Sequence, residues 1–181
     1  MKTKKPIYIF IILALFIQSC KNDSSKSQDS QEPQELKETF NVSFNLTVPK
    51  DDTFQLYYTE DGSLNFSDDN SVKVVIKGSE ISQDIIFKLP DNVIPTNIRL
   101  DFGDNPEQGN IKVSEMKLKY FDKIFEAKDS LVSKYFYLLE SQVKYDASTS
   151  TITIIKKEGQ IYDPLMWSNQ LLSDEMVNML K

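Results

Sequence analysis

The stretch FNVSFNLTV, residues 40–48, decides the fold of this 181-residue chain. Apolar and polar residues alternate through it without a break, and the apolar ones are Phe40, Val42, Phe44, Leu46 and Val48. Successive side chains of a β-strand point to opposite faces, so a period of two places all five on one face. We therefore predict a strand with one face in a hydrophobic core and the other in solvent.

The same alternation recurs along the next fifty residues. The predicted inward positions are Phe54, Leu56 and Tyr58; Val72, Val74 and Ile76; Ile85, Phe87 and Leu89; and Ile98, Leu100 and Phe102. Turn-forming residues separate these runs about every dozen residues, a spacing typical of sandwiches. We predict one all-β domain over residues 40–181, built as an antiparallel β-sandwich.

The segment NIKVSEMKLKYF, residues 110–121, changes phase in the middle. Its apolar residues fall first on odd and then on even numbers, namely Ile111 and Val113, then Met116, Leu118 and Tyr120. A single extra residue in one strand of an antiparallel pair has this effect. We predict a β-bulge near Ser114 and Glu115.

The last third of the chain gives weaker signals. QVKYDASTSTITIIK predicts a closing hairpin that turns at residues 146–150. Residues 129–142 fit either a helix or a strand, with a slight preference for an irregular or helical segment. Asp163-Pro164 and Ser173 are typical helix starts, so we predict short helices over about residues 163–181. Their inward residues would be Leu165, Leu171, Leu172, Val177 and Leu180.

Charge and composition exclude several functions. The chain has 21 Lys and Arg against 27 Asp and Glu, a net charge of −6, and no histidine. Removing residues 1–19 takes away three lysines and no acid, which lowers the net charge to −9. This balance argues against nucleic acid or anionic lipid as the main partner. The missing histidine excludes Ser-His-Asp catalysis and removes the commonest metal ligand, whereas lysine-based catalysis stays open.

The first twenty residues have the three parts of a secretory signal. Three lysines precede an apolar run over residues 7–17, and QSC closes it. At ~1.5 Å per residue the run spans roughly 16 Å, so a transmembrane helix across ~30 Å of hydrocarbon is the weaker interpretation, as is a core helix. The residues Ile17-Gln18-Ser19-Cys20 resemble a bacterial lipobox, with Ile and Gln where Leu and a small residue are commoner. The resemblance implies a signal peptide over residues 1–19 and a diacylglycerol on the Cys20 thiol.

Residues 20–39 are polar, with Leu36 as their only large aliphatic residue. Such a segment cannot bury enough apolar surface to offset the entropy of ordering, so we predict a flexible tether. Lys21-Asn22-Asp23 resembles signals that send lipoproteins to the outer leaflet of some bacteria. We expect a protein held in the bacterial cell envelope by acyl chains, at the outer membrane, with the leaflet left open.

The order of features over residues 56–118 resembles β-sandwich modules appended to bacterial glycosyltransferases and to large glycan-handling membrane proteins. The segments that carry it are LYYTEDG, NFSDDNS, IIFKLPDNVI and IRLDFGDNPEQGNIKVSEMKL. Those modules typically have LRLDPG-N-PG, where this chain has Phe102 in place of proline and Gln108 before Gly109. The resemblance implies a jelly-roll or galactose-binding-like sandwich related to carbohydrate-binding modules.

Acidic residues in the predicted loops offer one metal hypothesis. Asp61 with Asp68 and Asp69 could supply some of the six to eight oxygen ligands that Ca²⁺ takes, and no other cofactor is expected. None of the groups has EF-hand spacing, and Asp residues that cap turns are the simpler interpretation. A glycosidase would need two facing carboxylates, and no spacing among the 27 acids selects a pair.

Three aromatic residues are candidates for sugar binding, which needs flat apolar faces beside hydrogen-bonding groups. Tyr57 falls on the face opposite Leu56 and Tyr58, so it should lie on the outer face of its sheet. Tyr162 and Trp167 lie near the predicted C-terminal helices. The simpler interpretation is that the tyrosines are idle surface residues and that the lone tryptophan belongs to the core.

Three functions follow, in this order. The first is a non-catalytic lipoprotein that binds glycan or serves as an accessory subunit of a glycan-handling envelope complex. The second is a structural or protein-docking lipoprotein without sugar affinity. The third is a glycosidase-like enzyme.

Overall fold

The structure is a computed structural model, and it describes residues 39–181. The predicted signal peptide, Cys20 and all of the predicted tether except Thr39 lie outside the described residues.

Residues 39–181 form two antiparallel sheets that face each other across one core. The six-stranded sheet has the order β4-β1-β6-β10-β9, with β7 also paired to β6, and the five-stranded sheet has the order β3-β2-β5-β11-β8. The strands are β1 Asn41–Val48, β2 Asp52–Thr59, β3 Ser71–Ile76, β4 Ser79–Lys88, β5 Asn97–Asp101, β6 Ile111–Tyr120, β7 Lys123–Lys128, β8 Phe136–Leu138, β9 Val143–Asp146, β10 Thr151–Ile154 and β11 Leu165–Ser168. The predicted antiparallel β-sandwich is confirmed.

Strand β1 is the centre of the core, as its alternation predicts. Its five apolar positions are at most 1% exposed, and the strand lies between β4 and β6. The ring of Phe44 lies 6.4 Å from Phe87 in the same sheet and 6.1 Å from Phe136 in the other. Each such buried side chain stabilises the fold by about 1.5–3 kcal/mol, so this contact joins the two sheets.

The predicted bulge in β6 is confirmed. Asn45 pairs with Glu115, but the next residue, Leu46, pairs with Val113, which leaves Ser114 as the extra residue. Val113 and Met116 are both fully buried on either side of it. The bulge thus lets one continuous strand keep its apolar side chains inward despite the change of phase.

The segment that the sequence leaves open contains both elements in turn. A 3-10 helix spans Asp129–Tyr135, and strand β8 follows at Phe136–Leu138. The predicted closing hairpin is confirmed as β9 and β10, which join through residues 147–150.

The first predicted C-terminal helix is wrong, because residues 165–168 form strand β11. This strand pairs with β5 on one side and β8 on the other. The carbonyl of Pro164 accepts a hydrogen bond from the Phe102 amide at 2.9 Å. Without β11 the backbone groups of β8 would lack a partner strand, so the sheet overrides the local helix signal of Asp163-Pro164.

One short helix, α1, does end the chain at Gln170–Asn178. It starts at Asn169 rather than at Ser173, because the Asn169 side chain accepts hydrogen bonds from the amides of Leu171 and Leu172. Leu165 and Leu172 are buried as predicted, whereas three other predicted inward residues are exposed, namely Leu171, Val177 and Leu180. Within residues 39–181 no helix is long and apolar enough to span a membrane.

Candidate functional site

A row of large side chains crosses the outer face of the five-stranded sheet. Arg99 in β5 pairs with Tyr57 in β2 and with Trp167 in β11, and Trp167 pairs with Tyr137 in β8. Directly paired residues point to the same side of a sheet. Tyr57, Arg99, Trp167 and Tyr137 therefore lie side by side on one face, and we call them the aromatic row.

Arg99 is held in place from two directions. Its guanidinium donates to both carboxylate oxygens of Asp101, with Nε–Oδ1 at 2.7 Å and Nη2–Oδ2 at 2.6 Å. Its Cζ lies 4.3 Å from the ring centroid of Tyr57 and 5.9 Å from that of Phe66. A bidentate pair combined with stacking fixes the plane of the guanidinium.

The pKa shifts of this pair follow from burial and hydrogen bonding. Burial raises the pKa of Asp101, although the Arg99 hydrogen bonds act in the opposite direction. The hydrogen bonds to Asp101 raise the pKa of Arg99. The two directions disagree about the benefit of the pair, and the short bidentate geometry favours an ionised Asp101 bound to Arg99 near neutral pH. Both oxygens of this carboxylate are thus occupied.

Tyr57 lies on the outer face as predicted, but it is only 9% exposed. Arg99 covers its ring, and its hydroxyl donates to Asp68 Oδ1 at 2.9 Å. Burial, with a further contribution from this hydrogen bond, raises the pKa of Tyr57 to about 12. Tyr57 is therefore a support for Arg99 and not the open aromatic platform that the sequence predicts.

Trp167 and Tyr137 form the open part of the row. Their ring centroids are 5.9 Å apart with a tilt of 46°, Trp167 is half-buried, and Tyr137 is 56% exposed. Trp167 lies on a strand and not on a helix, and this strand directs its ring away from the core. The pair offers a broad apolar surface next to a charged group.

A polar cleft of about 230 Å³ adjoins the row on the same face. Its hydrogen-bonding side chains come from β2, β3, β5 and the loops that follow, and they include Gln55, Lys73, Arg99, Asp101, Asp104 and Asp163. Carboxylates, an amide and cations in one concave surface can bind hydroxyl groups as donors and as acceptors. The arrangement combines a ring surface with a hydrogen-bonding cleft.

Tyr162 lies outside the row. Its hydroxyl donates to the carbonyl of Asn105 at 2.9 Å, and burial raises its pKa to about 12. Its neighbour Asp163 lines the cleft. Tyr162 therefore braces the loop between β5 and β6 beside the cleft.

The structure does not gather the predicted Ca²⁺ ligands into one site. The Asp61 carboxylate accepts from the Ser63 amide, which lowers its pKa, and Asp68 accepts from Tyr57. Asp69 belongs to a short 3-10 helix. Among residues 39–181 no group of three or more acidic, cysteine or histidine side chains could hold a metal ion.

Sequence reasoning misses two members of the row. Arg99 falls between the inward residues Ile98 and Leu100, so the alternation already assigns it to the outer face. Tyr137 belongs to the segment left open between helix and strand. No single-strand pattern shows which outward residues become neighbours, because this depends on the pairing of four strands distant in sequence.

The chain matches no protein-family model, no curated protein and no solved structure.

Proposed function

We propose that this protein is a membrane-anchored lipoprotein that binds a glycan, without catalysis, on the outer face of its five-stranded sheet. The aromatic row beside the polar cleft carries this proposal. The lipobox-like Cys20, the tether and the resemblance to modules of glycan-handling proteins support it from the sequence. The protein would serve as an accessory subunit that brings glycan to an envelope complex.

The rings of Trp167 and Tyr137 would contact the apolar face of a sugar ring. Aromatic side chains provide a large rigid surface and lose little conformational entropy on binding. Because Tyr137 and Trp167 already contact each other in the free protein, little ordering remains to oppose binding.

The cleft would bind the hydroxyl groups of the sugar. Hydrogen bonds to charged groups are stronger than neutral ones, and Arg99 and Asp101 are held in a fixed geometry before any ligand arrives. The guanidinium can still present its remaining N–H groups because it has five donors in all.

The carboxylates support binding better than catalysis. Glycoside hydrolysis needs one free acid and a second carboxylate placed across the scissile bond. Asp101 has the raised pKa expected of a general acid, but Arg99 occupies both of its oxygens. We therefore assign it the role of orienting Arg99.

The test is binding by the protein purified from membranes in detergent, first on an array of bacterial and host glycans and then by calorimetry. Trp167→Ala and Tyr137→Ala should each weaken binding about 3- to 10-fold, since an aromatic contact is worth roughly 0.5–1.5 kcal/mol. Ile81→Ala is the matched control, because Ile81 is 78% exposed on the other sheet. It should leave the affinity unchanged.

Two results would overturn the proposal. One is the absence of binding to every glycan by a protein whose circular dichroism shows it to be folded. The other is binding that Ile81→Ala weakens as much as Trp167→Ala does. The first would favour the docking alternative.

A further inference from the structure

The chain joins the domain next to the turn between β6 and β7. Asn41, at the start of β1, pairs with Lys88 at the end of β4 and with Lys119 near the end of β6. The ring of Phe40 lies 5.7 Å from Tyr120, which lies 4.7 Å from Phe121 in the turn. Residues 1–38 are therefore attached at the same end of the sandwich as this turn, which we call the attachment end.

Phe121 is an unusual residue for its position. It has a φ of +55°, a backbone conformation that glycine and asparagine favour and that is an outlier for a bulky side chain. It is also 55% exposed, so its side chain gains little from the core. Ile124, two residues into the pairing with β6, is 56% exposed as well. The tip of this hairpin thus shows two large apolar side chains that the fold does not require.

The charge of the outer face of the six-stranded sheet changes with distance from the attachment end. The first row across the strands contains Lys88, Asn41, Lys119 and Ile124, with two lysines and no acid. The following rows contain Lys117 with Glu126, and then Asp84, Glu115 and Lys128. Lys123 follows the turn, and the acids in the neighbouring turns are Asp91 and Asp122.

We propose that the β6–β7 hairpin is a second membrane contact, which inserts Phe121 and Ile124 into the phospholipid surface that holds Cys20. Lysines beside exposed apolar residues are typical of interfacial binding, because their stems lie along the apolar region and their ammonium groups reach the phosphates. The negative net charge of the whole chain does not oppose this contact, since salt screens charges beyond ~8 Å.

The contact rests on the lipid at Cys20 that the proposed function includes. Residues 21–38 are eighteen in number and span at most about 65 Å when fully extended. A lipid at Cys20 would therefore keep the attachment end close to the bilayer and raise its effective concentration there. The ten residues of β6 place the opposite end of the sandwich ~30 Å farther away.

The test uses the acylated protein reconstituted in vesicles of phosphatidylethanolamine and phosphatidylglycerol. An environment-sensitive fluorophore is attached to Phe121→Cys, to Ile124→Cys or to Ala147→Cys, since acylation leaves the introduced cysteine as the only free thiol. Ala147 is the matched control because it is exposed in the β9–β10 turn at the opposite end. Brominated lipids should quench the label at 121 and at 124 several-fold more than the label at 147.

A second variant tests the lysines separately. Lys119→Gln with Lys88→Gln should reduce the quenching at 124 in vesicles with phosphatidylglycerol, and added salt should do the same. Equal quenching at 121, 124 and 147 in an acylated, folded protein would overturn the inference and leave the hairpin for a protein partner. A mass spectrum without the acyl chains would overturn the anchor itself and this contact with it. Glycan binding, measured in detergent, would be unaffected by either result.

Discussion

Gly103, in the turn after β5, has no room for a side chain. Its φ is +83°, and a methyl group there would overlap the Asp52 carboxylate. That carboxylate accepts hydrogen bonds from the amides of Thr53 and Asp104 and from the side chain of Gln108. The turn beside the cleft therefore depends on glycine for both its backbone and its space.

Gly103→Ala should lower the free energy of unfolding by about 2–4 kcal/mol. The strained backbone contributes roughly 1–3 kcal/mol, and moving Asp52 weakens hydrogen bonds worth about 1 kcal/mol each. Gly62→Ala is the control, because Gly62 has a similar φ of +79° but open space around it. Chemical denaturation of both variants measures the difference, and equal losses would show that the Asp52 contact is unimportant.

Tyr57 and Tyr162 should be the last tyrosines of the folded domain to ionise. Each has its pKa raised to about 12 by burial, against about 10 in an unfolded chain. The folded state therefore keeps these protons while the unfolded state loses them, so stability should fall as the pH rises from about 10 to 12. Tyrosinate absorbance followed against pH measures this. Tyr57→Phe should remove one late step.

Asp68→Asn gives a sharper version of the titration, since the hydrogen bond to Asp68 contributes to the raised pKa of Tyr57. We expect Tyr57 to ionise at lower pH in this variant while Tyr162 is unchanged. Should every tyrosine titrate near 10 while circular dichroism still shows the native fold, the covered position of Tyr57 would be contradicted.

At the level of the elements, the local patterns predict what local physics determines. Strand β1 and the bulge at Ser114 follow from side-chain alternation, which the pleat imposes on any strand with a buried face. Strand β11 does not, because Asp163-Pro164 satisfies a local rule for helix starts whereas the open side of β5 is a tertiary feature. The short β8 is hidden for the same reason.

The candidate site is predictable only in part from its elements. The alternation places Tyr57 outward, but the cover provided by Arg99 depends on the register between β2 and β5. Trp167 and Tyr137 become neighbours only because β11 pairs with β8. Register across strands distant in sequence depends on the whole core, and one sequence does not reveal it.

At the scale of the whole molecule, the end of the chain is part of the sandwich and not an appendage. Strand β11 occupies an inner position of the five-stranded sheet, between β5 and β8, although it is the last strand in sequence. Helix α1 then packs against the core through Leu172, Met176 and Met179. The domain therefore closes only when its final twenty residues are in place.

A chain that ends at residue 160 should fail to fold. It loses five large buried side chains, each worth about 1.5–3 kcal/mol, and the total of roughly 7–15 kcal/mol matches the whole net stability of a typical domain. These residues are Leu165, Met166, Leu172, Met176 and Met179. Deleting residues 24–34 from the predicted tether is the control, and it should leave Tm unchanged because it removes no described residue. Thermal unfolding by circular dichroism measures both, and addition of a peptide of residues 161–181 should partly restore the fold of the shortened chain. If the chain that ends at 160 unfolded cooperatively at the Tm of the full protein, then β11 would not be needed to complete the sheet, and the aromatic row built on it would lose its structural basis.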